Sequence, residues 1–461
     1  MSVVDSSFLT VETSETPMHV AALQIFQIPE GAPESFVADL VTAFRGPVPL
    51  RPPFGLKLGG GPLGRIWPSL VPDDDVDMTY HVRQSTLPAP GGERELGELI
   101  SELHAVLLDR ARPLWTCHVI DGLENNRFAV YTKIHHAMAD GVGAMRIVTE
   151  ALGADLDAAS CAPWQLQPAE REKRSSNKPA GAGGLESLLE VAAGAANALG
   201  RTSLSVGRGI AGLSRQPGAE PVRLPFESSP APALNTRVTA ARRVATQQLE
   251  LKRIAAVSDR TDTSVNDVFL AICATALRRH LLDSDLLPSN PLIAGVPVNL
   301  RQPGEEGGNA VAMAFASLAT DIADPVERLK AIHASMQAWK DELATMEPSA
   351  RRVLTTAMMG PTIGLLASGV ADRVRPPMNL VISNVPGPRQ AMYLHGARME
   401  AMYPVSVTFQ GQSLNITCVT YDGQFNIGFT GARDALPRLQ HIAVYTGEAL
   451  QELEDALCAA E

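Results

Sequence analysis

Phe128-Ala-Val-Tyr-Thr-Lys-Ile-His-His-Ala-Met-Ala-Asp-Gly-Val-Gly143 is an apolar, β-rich run that ends at two adjacent histidines and turns through Asp140-Gly141. On a strand, neighbouring side chains point to opposite faces. His135 and His136 therefore cannot easily bind one metal together, and His136 with Asp140 supplies too few ligands for a catalytic zinc. A neutral imidazole, with an unperturbed pKa of about 6.5, is well matched to taking a proton from a weak nucleophile. Asp140, four positions on and across a turn, can fix the loop that carries the imidazole. Gly141 permits a backbone conformation or close approach barred to other residues. Either histidine alone would pass for a core residue; the H-H-x-x-x-D-G spacing points to catalysis.

Working outward, Trp115 to Ile120 is a second β-rich run, and Asp121-Gly-Leu-Glu-Asn-Asn126 joins it to the histidine strand as a hairpin. Upstream, Phe36, Val37, Leu40, Val41 and Phe44 follow helical spacing, as do Leu96, Leu99, Ile100, Leu103, Val106 and Leu107, with proline-rich loops between. The second half repeats the mixture. Residues 265–282, 327–343 and 351–366 read as helices, and 291–298 and 379–383 as short apolar strands. Ser413 to Tyr421 and Gln424 to Thr430 flank Asp422-Gly423, the favoured two-residue hairpin turn. Between the halves, 162–232 is rich in Pro, Gly, Ser and Ala and reads as a linker. Inside it, Leu185 to Leu213 forms a weakly amphipathic helical segment, suited to cover a core or to touch a lipid surface. The pattern predicts an α/β protein of two lobes, 1–161 and 233–461.

Composition narrows the function classes. The chain has 461 residues, 45% hydrophobic and 19% charged, enough for large cores and far from the signature of disorder. Lys plus Arg is 39 against 50 Asp plus Glu, a net charge of −11, which repels nucleic-acid backbones. No secretory signal and no apolar run of membrane-spanning length is evident, and five widely spaced cysteines read as free thiols in a reducing cytoplasm. Gly59-Gly-Gly-Pro-Leu-Gly64 matches G-x-G-x-x-G formally, but the prolines around it deny the strand and helix that a dinucleotide site needs. Neither a Walker loop nor a G-x-S-x-G elbow is present.

With these residues in view, the chain resembles the bacterial wax ester synthase/acyl-CoA:diacylglycerol acyltransferases (WS/DGAT) over nearly its full length. The resemblance rests on Phe8-Leu9, Pro17-Met-His-Val20, Leu108-Asp-Arg-Ala-Arg-Pro-Leu-Trp115, His135 to Gly141, Ser264-Val-Asn-Asp267, Pro297-Val-Asn-Leu-Arg301, Ser383-Asn-Val-Pro-Gly-Pro388 and Met402-Tyr-Pro-Val405. It implies the CoA-dependent acyltransferase superfamily, with two chloramphenicol-acetyltransferase-like lobes, each a mixed sheet with helices, meeting at an active-site tunnel. It also implies acyl transfer from acyl-CoA to a long-chain alcohol or a diacylglycerol, in a ternary complex, without a metal or prosthetic group. His136 is then the general base and His135 its supporting neighbour. Asp140 is similar to a structural aspartate paired with an arginine, here Arg301. Asn266 and Asp267, with Ser383 and Asn384, would lie beside the site, although Asn266 could instead cap the helix that begins there and Pro386-Gly387-Pro388 could be a plain turn.

Trp115, Gly360, Gly364 and Met402 are the candidates for the tunnel wall, each equally suited to core packing. The expected location is cytoplasmic, in peripheral contact with the inner membrane or lipid inclusions. Two other classes fit parts of the sequence. A condensation-domain-like N-acyltransferase with a carrier-bound donor shares the histidine motif, and a non-enzymatic lipid-droplet protein would use the linker helix.

Overall fold

The protein is described by a computed structural model, covering residues 3–59, 68–139, 141–166, 234–299, 311–346, 364–366, 371–373 and 376–459. Two six-stranded mixed sheets carry the fold. The first contains β1 (His19–Gln27), β4 (Val82–Thr86), β5 (Trp115–Leu123) and β6 (Arg127–His135). The second contains β7 (Arg242–Glu250), β8 (Ile293–Asn299), β9 (Val311–Ser317), β10 (Leu380–Val385), β13 (Leu414–Tyr421) and β14 (Gln424–Ala432) in the order β7-β14-β13-β10-β8-β9. A two-stranded ribbon, β2 (Leu56–Leu58) with β3 (Leu70–Pro72), and the single turn α3 (Met78–His81) occupy the proline-rich region.

The first sheet is not built from the N-terminal half alone. Its order is β11-β12-β1-β6-β5-β4, where β11 (Tyr393–Leu394) and β12 (Ala397–Val405) come from the C-terminal half. β12 runs antiparallel to β1, with Leu23 opposite Tyr403. A boundary near residue 233 therefore divides the sequence but not the sheets. Similarly, Ala162 and Trp164, placed in the linker by composition, are fully buried in the core of the first lobe. Residues 167–232 of the expected linker, with its helical segment 185–213, lie outside the described residues, as does most of the helix expected at 351–366.

The local signals act as their chemistry dictates. Both hairpin turns use paired left-handed residues, Asn125 and Asn126 (φ 60° and 55°) and Asp422 and Gly423 (φ 45° and 73°), whose twist matches that of the flanking strands. Helix α2 (Phe36–Phe44) buries Val37, Leu40, Val41 and Phe44 along one stripe. Helix α4 (Glu93–Ala105) buries Leu96, Ile100 and His104 under the first sheet. Next come α5 (Gly141–Glu150) and α6 (Leu251–Thr261). Helix α7 (Val265–Leu282) is apolar on nearly all sides and buried in the second core, starting at a Ser264 cap with Asp267 at the third helical position. Helix α8 (Pro325–Thr345), capped by Asp324 with proline in its first turn, and α9 (Leu439–Ala459) pack against it.

The two sheets touch where β14 crosses β12. At Gly428 an added Cβ would sit 1.8 Å from the Pro404 carbonyl oxygen, so glycine is required by the close approach of two backbones. Gly428→Ala is expected to cost about 1–3 kcal/mol by overpacking. Thermal unfolding checks this: the transition should fall by several degrees, whereas an unchanged transition would mean the sheets do not meet at that point.

Candidate active site at the end of the histidine strand

Strand alternation sorts the residues of β6 onto two faces. Thr132 and Ile134 line a cavity, while Tyr131, Lys133 and His135 point toward α4 and a buried polar layer. His135 is completely buried, whereas His136, one step past the strand, is half-buried. The adjacent histidines thus have different surroundings, as their spacing predicts.

His135 is hydrogen-bonded at one ring nitrogen and lies within ion-pair reach of a carboxylate at the other. The Ala137 backbone N–H donates to Nδ1 at 3.0 Å, which leaves the proton on Nε2, 3.3 Å from Glu12 Oε1. Glu12 follows directly on α1 (Val3–Val11) and was not foreseen from the sequence. Its side chain is 4% exposed. It accepts from the Met18 N–H at 2.9 Å and from Arg110 at 3.2 and 2.9 Å. Burial pushes the Glu12 carboxyl up, but His135, the Met18 N–H and Arg110 together outweigh it and hold it below the usual carboxylate range. The Met18 carbonyl in turn accepts from the His136 N–H at 2.8 Å, and the Phe8 ring of α1 stacks on the His136 imidazole, centroids 4.0 Å apart. Three motifs distant in sequence, around Phe8, Met18 and Arg110, therefore converge on the histidine pair.

Behind this pair lies a layer of buried titratable groups. His104 Nε2 donates to the Ser406 carbonyl (2.9 Å), so its Nδ1 accepts from the Tyr131 hydroxyl (2.8 Å). His19 donates to the His104 carbonyl at 2.7 Å. The Lys133 ammonium donates to the carbonyls of Leu103 and Val106, both at 2.7 Å, closing the end of α4. Burial, with Lys133 and Arg242 nearby, pulls His104 down to about 3, and burial with Arg83 pulls Lys133 down to about 7.

On the opposite face, a narrow cavity of about 50 Å³ lies where the sheets meet. Its wall takes Val20 and Ala22 from β1, Pro404 from β12 with Ser406 just beyond it, Ala144, Met145 and Val148 from α5, and Val385 and Thr417 from the second sheet. Ile134 and Gly141, which bracket the histidine turn, also line it. Gly141 has no left-handed φ, and a Cβ there would meet no described atom within 4 Å, so the expected backbone reason for glycine is replaced by open space at the cavity.

The other sequence candidates divide. Ser383 is the register partner of cavity-lining Thr417 and shares the face of Val385, whereas Asn384 pairs with Cys418 and shares the face of Leu380 and Ile382, packed in the second core. Ser383, not Asn384, is the side chain of this strand turned toward the cavity. Asp267 is fully buried, and its Oδ2 accepts from the Ser264 N–H and hydroxyl and faces His333 Nδ1 at 2.8 Å. It is thus part of the cap of α7. The capping residue is Ser264 and not Asn266, which is half-buried beside it.

Trp115 and Met402, 1% and 0% exposed, are core residues outside the cavity wall; Trp115 stacks on Trp164 and donates to the Phe54 carbonyl at 2.9 Å. Gly364 is exposed. Asp140, Arg301 and Gly360 lie outside the described residues.

Residues 1–269 match the wax ester synthase/diacylglycerol acyltransferase catalytic domain, and residues 307–454 match the WS/DGAT C-terminal domain. The chain belongs to this family. It is 37% identical to the O-acyltransferase WSD of Acinetobacter baylyi, covering 99% of this chain and 97% of that one. It is 40% identical to a protein of Mycobacterium tuberculosis named a probable diacylglycerol O-acyltransferase, covering 98% of each. The solved wax ester synthase/diacylglycerol acyltransferase of Marinobacter aquaeolei VT8 superposes with a TM-score of 0.79 at 35% identity over 99% of both chains. The first condensation domain of the CDA synthetase, at 13% identity and a TM-score of 0.56 over 99% of this chain and 95% of that one, shares the fold. The two-lobed α/β architecture expected from sequence is the one observed.

Burial of His104 predicts a fold that loses stability in acid. His104 is depressed when folded, so its stabilising contribution is complete above about pH 6.5 and is lost as pH falls toward 3. At pH 5 the penalty is about 2 kcal/mol. Melting temperatures measured between pH 7 and pH 5 should fall more steeply for the wild type than for His104→Gln. Equal slopes would mean that His104 does not couple folding to protons.

Proposed function

We propose that this protein is an O-acyltransferase that moves a fatty acyl group from acyl-CoA to a long-chain alcohol or a diacylglycerol, with His136 as the general base. The observation that carries the reading is the division of labour at the end of β6. One histidine is buried against Glu12, and its half-buried neighbour lies in the chain between Ile134 and Gly141, both of which line an apolar cavity between the lobes. The names of the full-length relatives support the same reaction class.

His136 takes the proton of the acceptor hydroxyl as its oxygen attacks the thioester carbonyl carbon, giving a tetrahedral oxyanion. Collapse expels the CoA thiolate, to which His136 returns the proton, so the ester and free CoA leave and the imidazole is neutral again. The oxyanion needs donors about 3 Å away. The N–H groups of His136, Ala137 and Met138 are already bound, so the Ser383 hydroxyl, on the face of β10 that carries cavity-lining Val385, is the donor proposed for it. A general base supplies about 10²–10⁴-fold, and positioning of both substrates must supply much of the rest. The acceptors are water-insoluble, and among the described residues no helix is long and apolar enough to cross a membrane. Peripheral contact with a membrane or lipid inclusion is therefore part of the proposal.

His136→Ala should lower turnover by at least about a hundredfold with little change in melting temperature. Assay with acyl-CoA and competing hexadecanol and diacylglycerol tests this; near-normal ester formation would remove the base assignment, and exclusive acylation of amines would favour the condensation-like reaction.

If the cavity holds substrate chains, Ala144→Leu should shift preference toward shorter ones, since one methylene in such a pocket is worth about 1–3 kcal/mol. The measurement is the product chain-length profile from mixed acyl-CoAs, and an unchanged profile would place the chains elsewhere.

A further inference from the structure

We infer that Glu12 is a positioning residue for the reaction: through His135 it sets the turn that aims His136. The inference rests on the reading of His136 as the base. Glu12 Oε1 receives the Met18 N–H at 2.9 Å and faces His135 Nε2 at 3.3 Å, while Oε2 receives both Nε and Nη2 of Arg110. Every group converging on it is a donor, so the site calls for an acceptor-only side chain. Because Oε1 faces Nε2, the His135 proton stays there and Nδ1 is left to accept from the Ala137 N–H at 3.0 Å.

That bond closes the turn from inside. The Met138 N–H donates to the His135 carbonyl at 2.9 Å, and the ring bond to Ala137 clamps the same four residues from the side-chain direction. His136 sits in this clamp, its own N–H bound by Met18, whose N–H is bound by Glu12. One carboxylate therefore reaches His136 by two routes, through the His135 ring and through the Met18 backbone. Arg110 fixes the carboxylate and also donates to the Leu9 carbonyl at 2.7 Å, tying it to the helix that carries Phe8. This gives Arg110 of Leu108-Asp-Arg-Ala-Arg-Pro-Leu-Trp115 a task.

Glutamine at position 12 keeps the size but must direct an N–H₂ at Arg110 or at Met18 and His135. In the second orientation the favourable partner is unprotonated Nε2, so the His135 proton moves to Nδ1 and the bond from Ala137 is lost. A displacement of the reacting group by about 1 Å costs about 10²-fold in rate.

The test is made on the full chain with Glu12→Gln, Glu12→Asp and His136→Ala, reading kcat, KM for acyl-CoA, melting temperature and the ¹⁵N resonances of the His135 ring. Expected are a loss in kcat of about 10²-fold for Glu12→Gln with KM for acyl-CoA unchanged, a shift of the His135 proton from Nε2 to Nδ1, and partial recovery of both in Glu12→Asp. Full kcat in Glu12→Gln, or lost kcat with the His135 tautomer unchanged, overturns the inference. Should Glu12→Gln fail to fold, the wild-type spectrum and Glu12→Asp decide: a wild-type His135 protonated at Nδ1 overturns it, and one protonated at Nε2, with reduced kcat in Glu12→Asp, upholds it. The tautomer is read without reference to any reaction. Activity retained in His136→Ala would thus refute the base assignment separately.

Discussion

Two side chains next to each other in sequence must face opposite ways on a pleated strand, and at the end of β6 that constraint separates two kinds of imidazole. His135 is driven under the sheet, where a backbone N–H binds one nitrogen and a carboxylate faces the other at 3.3 Å. His136 is left at the rim, stacked on Phe8 and anchored by its own N–H. A buried imidazole needs partners because an unpaired polar atom away from water costs about 1–3 kcal/mol. Meeting that need is what draws α1, the Met18 segment and Arg110 onto the same spot.

The cavity depends on a second constraint, the passage of β12 from the C-terminal half into the first sheet. Pairing with β1 places Pro404 against Gly428 of β14, so the sheets are joined by backbone contact and not only by side chains. Val385 and Thr417 of one sheet then face Val20 and Ile134 of the other across the narrow space beside the histidine turn. His104, on α4, ties β6 to the end of β12 by binding the Tyr131 hydroxyl and the Ser406 carbonyl. The polar layer and the apolar cavity are thus opposite faces of the same strands.

Much of this could be read from the sequence where the deciding chemistry is local. Asp422-Gly423 and Asn125-Asn126 specify their turns by left-handed backbone preference, α7 spans the expected 265–282 although its cap is Ser264 and not Asn266, and the faces of the two histidines follow from strand periodicity. What escaped was set at long range. Nothing near β12 announces that it pairs with β1, because its partner lies more than 370 residues away. Glu12 reads as an ordinary acidic residue after a short apolar stretch; the available signal was Arg110, which the sequence leaves without an assigned partner in the Leu108–Trp115 motif. Trp115 and Met402 are large apolar side chains that fit core or channel equally by composition, and only packing places them in the core. The Ser383-Asn384 pair shows the same limit, since which of the two faces the cavity follows from register with β13.

The central claim is that substrate meets the cavity face of β6 and not the buried polar face. A crystal structure with an acyl-CoA thioether, in which a methylene replaces the thioester carbonyl, tests it directly. The account predicts the acyl chain between Val20, Ala144 and Val385, with the carbon beside sulfur within reach of His136 and none of the ligand touching His135. An acyl chain lodged on the α4 side of the sheet, or a sulfur placed nearer His135 than His136, would contradict it.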